Sequence, residues 1–176
     1  TGAADSTIVV KTTGDYSVQV SNWGPCVTEK SIKVTVNELP IVNVGNDTTI
    51  CEKDTISLDV TVKKASYLWN TTAESGSIKV FDAGEYGVML VDSNGCKGSD
   101  SMLLAVQELP ELIVSNDTTI CDKDTISIAT THNGTNVLWS TAEAANVIKV
   151  NKESKYLVDV TNELGCLTKD SVEVLI

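Results

Sequence analysis

Apolar and polar residues alternate along most of this chain. Between positions 86 and 91, for example, Tyr86, Val88 and Leu90 occupy every second position. A period of two places such side chains on one face of a β-strand and the residues between them on the other face. No stretch has helical spacing long enough to compete with this pattern, which predicts an all-β fold.

The alternating runs are short, and turn residues such as Gly14 separate them. Near the start of the chain the apolar positions are Ile8 and Val10, then Tyr16, Val18 and Val20, then Ile32, Val34 and Val36. Further on, strands are predicted near 41–44, 55–62, 67–71, 77–80, 86–91 and 100–106, and the same order follows after position 109. Short strands with turns about every eight to twelve residues are typical of a β-sandwich.

The strand order recurs because the sequence itself repeats. NDTTIC at 46–51 and KDTIS at 53–57 return at 116–121 and 123–127, an offset of 70 positions. Other residues share this offset: Trp69 with Trp139, Tyr86 with Tyr156, Cys96 with Cys166 and, carried backwards, Tyr16 with Tyr86 and Cys26 with Cys96. A fixed period of this kind is typical of tandem modules. We expect the C-terminal part of a truncated repeat at 1–38 and complete repeats at 39–108 and 109–176.

Two aromatic positions favour an immunoglobulin-like sandwich for each repeat of about seventy residues. Trp69 and Trp139 fall on the third predicted strand, and Tyr86 and Tyr156 open the next-to-last strand. In immunoglobulin domains, a tryptophan on the third strand packs in the core. A tyrosine near the start of the next-to-last strand forms a hydrogen bond to the backbone a few residues upstream. We therefore interpret these side chains as core residues and not as ligand-stacking surfaces.

Short segments join the predicted repeats, NELP at 37–40 and QELP at 107–110. Proline stiffens such a crossing, and so short a connection leaves neighbouring repeats little room to swing. The repeats are therefore expected to form a semi-rigid rod.

Composition narrows the possible environment and partners. The net charge of −11 argues against nucleic acid, whose phosphates require a Lys/Arg surface, and fits a soluble extracellular protein. No run reaches the roughly 18 to 20 apolar residues of a membrane span, and none reads as a signal peptide. Five cysteines at recurring positions are natural in an oxidising compartment. Their odd number implies that at least one has a partner outside this chain.

The repeated blocks, together with YLWNT at 67–71, GEY at 84–86 and NGC at 94–96, resemble a known module type. They are similar to the Ig-like or PKD-like repeats of giant surface adhesins exported by the type IX secretion system, such as SprB-type gliding-motility adhesins. The resemblance covers essentially the whole chain and implies a secreted, cell-surface protein of adhesion or gliding. Its implied partners are neighbouring repeats, an extracellular surface or polysaccharide bound by other parts of the protein, and the export and motility machinery.

The resemblance also implies a glycoprotein. Bacteria of this kind attach O-glycans where Asp is followed by Ser or Thr and then by an apolar residue or Thr. That triplet occurs seven times, with candidate sites at Ser6, Thr48, Thr55, Ser101, Thr118, Thr125 and Ser171. Asp-Ser and Asp-Thr pairs are also ordinary turn and strand-start chemistry, which is the alternative explanation.

Two disulfide patterns are open. One pairs cysteines within a repeat, Cys51 with Cys96 and Cys121 with Cys166. In an Ig-like sandwich, however, the first turn and the last hairpin lie at opposite ends, more than about 20 Å apart at about 3.3 Å per strand residue. A disulfide needs Cα atoms within about 4.4 to 6.8 Å. The preferred pattern therefore joins Cys51 to Cys166 across the repeat boundary, and Cys26, Cys96 and Cys121 pair with residues outside the chain.

Residues for catalysis are not predicted. His132 is the only histidine and lies in the loop-like THNG segment, so no catalytic triad or zinc site can be assembled. Calcium is the one cofactor to consider, because several acidic residues fall near predicted module ends: Glu38, Asp47, Asp54, Asp92 and Glu108. No EF-hand spacing supports a calcium site, so we expect neither an enzyme nor a bound metal.

The sequence thus predicts a non-catalytic stalk segment of a large, repetitive bacterial surface adhesin. The alternative is a carbohydrate-binding or spacer region of a secreted polysaccharide-degrading enzyme. Exposed aromatic side chains hold sugar rings, and Trp23, in a predicted turn, is the strongest candidate for that role. The later repeats have Ser93 and Glu163 at this position. A sugar site shared by all repeats is therefore not expected, and we favour the stalk.

Overall fold

The structure, a computed structural model, describes residues 6–176. Within this range every regular element is a β-strand, as the alternation predicts. The first predicted repeat, whose residues 1–5 lie outside the described range, contains β1 (Gly14–Ser21) and β2 (Val27–Val34). The second contains β3 (Thr48–Cys51), β4 (Ile56–Asp59), β5 (Ser66–Trp69), β6 (Ser77–Val80), β7 (Gly84–Val91) and β8 (Lys97–Gln107). The third contains β9 (Leu112–Val114), β10 (Thr118–Thr119), β11 (Ile126–His132), β12 (Asn136–Trp139), β13 (Val147–Val150), β14 (Ser154–Thr161) and β15 (Leu167–Leu175).

The second and third repeats each fold into two sheets. In the third repeat their strand orders are β10-β15-β14-β12 and β13-β11-β9, and in the second they are β3-β8-β7-β5 and β4-β6. The pairs β3–β8 and β10–β15 are parallel, whereas all other pairs are antiparallel. In the second repeat β5 shares a sheet with the last two strands while β4 pairs with β6 in the other sheet, and β12 and β11 take the corresponding places in the third repeat. This arrangement is that of an immunoglobulin-like sandwich. The chain is therefore an all-β tandem array of immunoglobulin-like modules.

Alternating side chains from both sheets form a separate core in each of these repeats. The buried cluster of the second repeat consists of Val44, Leu58, Val60, Trp69, Val80, Tyr86, Val88, Met102 and Leu104. The buried cluster of the third repeat consists of Ile128, Trp139, Ile148, Val150, Tyr156, Val158, Val160, Val172 and Val174. Trp69 and Trp139 are 1% and 2% exposed, which confirms them as core residues. Each indole N–H donates to a backbone oxygen at 2.9 Å, as a buried indole requires.

The tyrosines also occupy their predicted positions. Tyr86 and Tyr156 are buried, and each hydroxyl donates to the carbonyl oxygen four residues upstream, at 2.8 and 3.0 Å. Tyr16 makes the same bond at 2.9 Å. All three repeats therefore contain the tyrosine corner that the sequence predicts.

The predicted strand at 41–44 is wrong. Gly45 has a φ of 110°, and its N–H donates to Asn43 Oδ1 at 2.9 Å, so the chain turns there. Val44 is nevertheless buried, and its N–H donates to Asp100 Oδ2 at 2.9 Å. In the third repeat the corresponding segment is β9, because Ser115 continues its ladder by donating to Ala129 O at 2.9 Å.

The first hairpin departs from the expected burial. Ile8 and Val10 lie outside any strand, and Val18, Val20 and Ile32 on the hairpin are exposed. Within residues 6–176 no second sheet is paired or packed onto β1 and β2. Alternation correctly predicts the strands here, but burial of one face also requires a covering layer.

Candidate functional site

The most informative site lies where the second and third repeats meet. A disulfide joins Cys51 to Cys166, with a Cα–Cα distance of 5.5 Å and a sequence separation of 115. This is the inter-repeat pairing that the sandwich geometry favours. The alternative pairs, Cys51 with Cys96 and Cys121 with Cys166, are not formed. The two ends of a module are too far apart for them, whereas the first turn of one repeat meets the last hairpin of the next.

Cys51 is presented by the NDTTIC block. Asp47 is the second residue of the block, and its Oδ1 accepts the Leu103 N–H of β8 at 2.8 Å. β3 then runs parallel to β8 as far as Cys51. Lys53, with a φ of 74°, makes the turn in which the Asp54 N–H donates to Cys51 O at 3.0 Å. The repeated motif is therefore a short strand fixed at both ends, with the cysteine at its tip.

The corresponding segment of the third repeat is held by the same hydrogen bonds. Asp117 Oδ1 accepts the Glu173 N–H of β15 at 2.7 Å. Lys123 has a φ of 73°, and the Asp124 N–H donates to Cys121 O at 3.0 Å. Sequence reasoning identified the repeat but missed this role of its aspartate. The signal that could have found it was an acidic residue directly before a β-branched strand, a residue type that often accepts backbone bonds.

Cys166 is held by the β14–β15 turn. Asn162 Oδ1 accepts the N–H groups of Leu164 and Cys166, both at 3.0 Å, and Gly165 has a φ of 83°. In the second repeat, Asp92 Oδ1 accepts the N–H groups of the corresponding residues, both at 2.8 Å. A side-chain acceptor and a left-handed glycine thus orient the cysteine before it meets its partner.

The connection between the two repeats is also fixed to the third repeat. Asn162 Nδ2 donates to Glu108 O at 3.2 Å, and Thr168 Oγ1 donates to Pro110 O at 2.6 Å. The Glu111 N–H donates to Asn133 Oδ1 at 2.8 Å. Since β8 ends at Gln107 and β9 begins at Leu112, little unconstrained chain separates the two modules.

The other cysteines are unpaired within the described residues. Cys26 and Cys121 are exposed, and Cys96 is half-buried. Cys121 is the counterpart of Cys51, whereas Cys26 and Cys96 are counterparts of Cys166. Each therefore lies at the kind of turn that carries one half of the observed disulfide.

The candidate glycosylation residues fall into two groups. Ser6, Thr55, Ser101 and Thr125 are exposed, and Thr48, Thr118 and Ser171 are half-buried. The Ser101 hydroxyl donates to Glu85 Oε1 at 2.9 Å. The residues of the exposed group lie outside both cores, and of these Ser101 would have to give up its bond to Glu85 to carry a sugar.

The candidate calcium ligands do not gather at one place. Across residues 6–176, no group of three or more His, Cys, Asp or Glu side chains is arranged to hold a metal ion. Asp47 and Asp92, moreover, use carboxylate oxygens to accept backbone N–H groups.

His132 is not a loop residue, because it ends β11 and is half-buried. Its Nδ1 lies 3.1 Å from Gly134 O, and its Nε2 lies 3.1 Å from Asn146 Oδ1. Both ring nitrogens thus have neighbours in the same module, which gives the imidazole a structural position.

The described residues contain no helix that is long and apolar enough to cross a membrane.

Comparison with known proteins gives arrays of immunoglobulin domains. The chain is similar to titin domains I67–I69, with 13% identity, a TM-score of 0.43, and coverage of 93% of this chain and 74% of that one. It is also similar to DIP-gamma IG1+IG2, with 13% identity, a TM-score of 0.35, and coverage of 74% and 93%. For murine CEACAM1b the identity is 14%, the TM-score 0.34, and the coverage 73% and 96%. No protein-family model and no curated protein sequence matches the chain. The likeness concerns the fold alone.

Proposed function

We propose that this chain is a non-catalytic stalk segment of a large, repetitive bacterial cell-surface adhesin that serves gliding motility or attachment. The observation that carries the proposal is the Cys51–Cys166 disulfide between consecutive immunoglobulin-like modules. A covalent bond beside a short connection restricts bending between neighbours, as a spacer that holds a binding tip away from the cell requires. Export by the type IX secretion system belongs to the same proposal and rests on the sequence resemblance.

The unpaired cysteines extend this reasoning along an array. In a longer run of repeats, Cys121 bonds to the last hairpin of the next module, as Cys51 does here. Cys96 and Cys26 bond to the first turn of the module before their own. Disulfides persist in oxidising surroundings, which supports an extracellular location.

The acidic surface and the exposed Asp-Ser and Asp-Thr sites support a solvated, glycosylated stalk. A net charge of −11 keeps such modules soluble and apart from one another. O-glycans at Thr55 and Thr125, which are exposed equivalents, would add bulk without disturbing either core. Intact-mass measurement of the protein from its native source, before and after chemical removal of O-glycans, tests this part. An unmodified mass would contradict it.

Surface labelling and deletion test the main proposal in the bacterium that encodes the chain. We expect antibodies against residues 39–176 to label intact cells, and cells lacking the gene to lose attachment or gliding. The matched control removes 39–108, one repeat period, and should retain surface labelling and most adhesion because the remaining repeats stay in register. Recovery of the chain as part of a soluble polysaccharide-degrading enzyme, with normal attachment of the deletion strain, would refute the stalk.

A carbohydrate-binding role is the second candidate, and one observation favours it. Trp23 is fully exposed at the tip of the β1–β2 hairpin, where its indole could stack on a sugar ring. A glycan array with the wild-type chain and Trp23→Ala separates the two functions. Binding that is lost in Trp23→Ala would establish the sugar site, and the absence of binding by both proteins favours the stalk.

A further inference from the structure

The disulfide closes a covalent loop around almost all of both modules. Its cysteines are 115 positions apart in sequence, yet their Cα atoms are separated by only 5.5 Å. The strands β4 to β8 and β9 to β14 all lie inside this loop. Only the segment that ends in β3 and the segment that begins after Cys166, with β15, lie outside it.

We propose that the Cys51–Cys166 bond is a force shunt. Tension applied to the chain before residue 51 and after residue 166 passes from β3 through the disulfide into β15. The loop carries no end-to-end load, so neither β-sandwich can be extended by pulling. This inference deepens the proposed stalk function, since it explains how small modules keep a constant length under tension.

The two strands that flank the disulfide in the load path, β3 and β15, are already extended. β3 and β15 rise about 3.3 Å per residue, close to the maximum span of about 3.3 to 3.6 Å per residue. Tension can therefore lengthen these two strands only slightly. Each is also hydrogen-bonded to a neighbour that lies within the loop, β3 to β8 and β15 to β14, so the shunt stays aligned with the folded modules.

Without the disulfide the same tension would run through both modules. Unfolding all 115 intervening steps at about 3.5 Å per residue would then release about 400 Å, in two steps because there are two separate cores. With the bond intact, the only large extension expected is the opening of the first hairpin, which lies before residue 51 and is common to both states. The predicted difference between the two states is therefore about 400 Å.

Single-molecule force spectroscopy on the full chain, held by peptide tags at its two ends, tests the proposal. The control protein carries serine at Cys26, Cys96 and Cys121, which prevents other disulfides and keeps the Cys51–Cys166 bond. The test protein carries Cys51→Ser and Cys166→Ser in addition. We expect the extra extension of about 400 Å only in the test protein.

A second measurement does not depend on whether the test protein folds. The control protein is held at constant force and a phosphine reductant is added, which should lengthen that same molecule by about 400 Å. The shunt would be overturned if the oxidised control released this length. It would also be overturned if the control did not lengthen under conditions in which mass spectrometry confirms that the disulfide is reduced. Failure of the surface-labelling experiment, by contrast, would refute the cellular role and leave this mechanical property standing.

Discussion

A single buried hydroxyl gives the sharpest test of core energetics. Thr130 on β11 is 5% exposed, and its Oγ1 is buried without a hydrogen-bond partner. The corresponding residue of the second repeat is Val60, 70 positions earlier, which is also buried. The same fold thus accepts valine in one copy and carries an unsatisfied polar group in the other.

The Thr130→Val change should stabilise the third repeat. A buried polar group without a partner costs about 1 to 3 kcal/mol, and valine replaces the hydroxyl with a methyl group that belongs in this core. We expect a gain of about 1 to 2 kcal/mol. For a module of this size, each kcal/mol shifts the melting temperature by about 4 to 8 °C.

Hydrogen exchange measured by mass spectrometry, combined with thermal unfolding, localises the effect. In Thr130→Val, the protection of backbone amides from exchange should rise in β11 and β14 of the third repeat. It should stay unchanged in β4 and β7 of the second repeat. The reciprocal change Val60→Thr should lower protection in the second repeat. Thr131→Val is the matched control, because Thr131 is the exposed neighbour and its substitution should shift stability by less than about 0.5 kcal/mol. An unchanged or lower melting temperature for Thr130→Val would refute the reasoning.

Two further substitutions test contacts outside the disulfide. A Cβ added at Gly98 would collide with the Pro40 carbonyl oxygen, whereas one added at Gly84 would meet nothing within 4 Å. Gly98→Ala should therefore lower the free energy of unfolding, measured by urea titration, by about 1 to 3 kcal/mol. Gly84→Ala is the control and should leave it unchanged. Equal effects of the two substitutions would contradict this packing. Tyr156→Phe removes one hydrogen bond and should cost about 0.5 to 1.5 kcal/mol in the same assay. No measurable loss would mean that the tyrosine corner contributes only through its ring.

Much of each module could be predicted because the relevant information is local. A period of two marks a strand wherever it occurs, and both tryptophans fall in phase with the buried face, so their burial followed from the sequence. The repeat period showed that Tyr16, Tyr86 and Tyr156 are equivalent, and all three make the same backbone bond.

Details that depend on side-chain acceptors were less accessible. The segment 41–44 alternates well enough to predict a strand, but the turn formed by Asn43 and Gly45 ends the pairing. The sequence suggested Asp47 only as a possible calcium ligand and assigned no role to Asn162, yet their side-chain oxygens fix the two segments that carry the disulfide. Such bonds join groups whose proximity follows only from the folded chain.

The sequence by itself determined the class of fold, the seventy-residue period and the buried aromatic positions. Each of these is encoded within a few residues or by direct repetition. Only the tertiary structure decided which cysteines meet, because the Cys51–Cys166 pair joins two modules and spans 115 positions. The same holds for the exposed face of the first hairpin, since alternation specifies which side chains share a face and packing alone specifies whether another layer covers them.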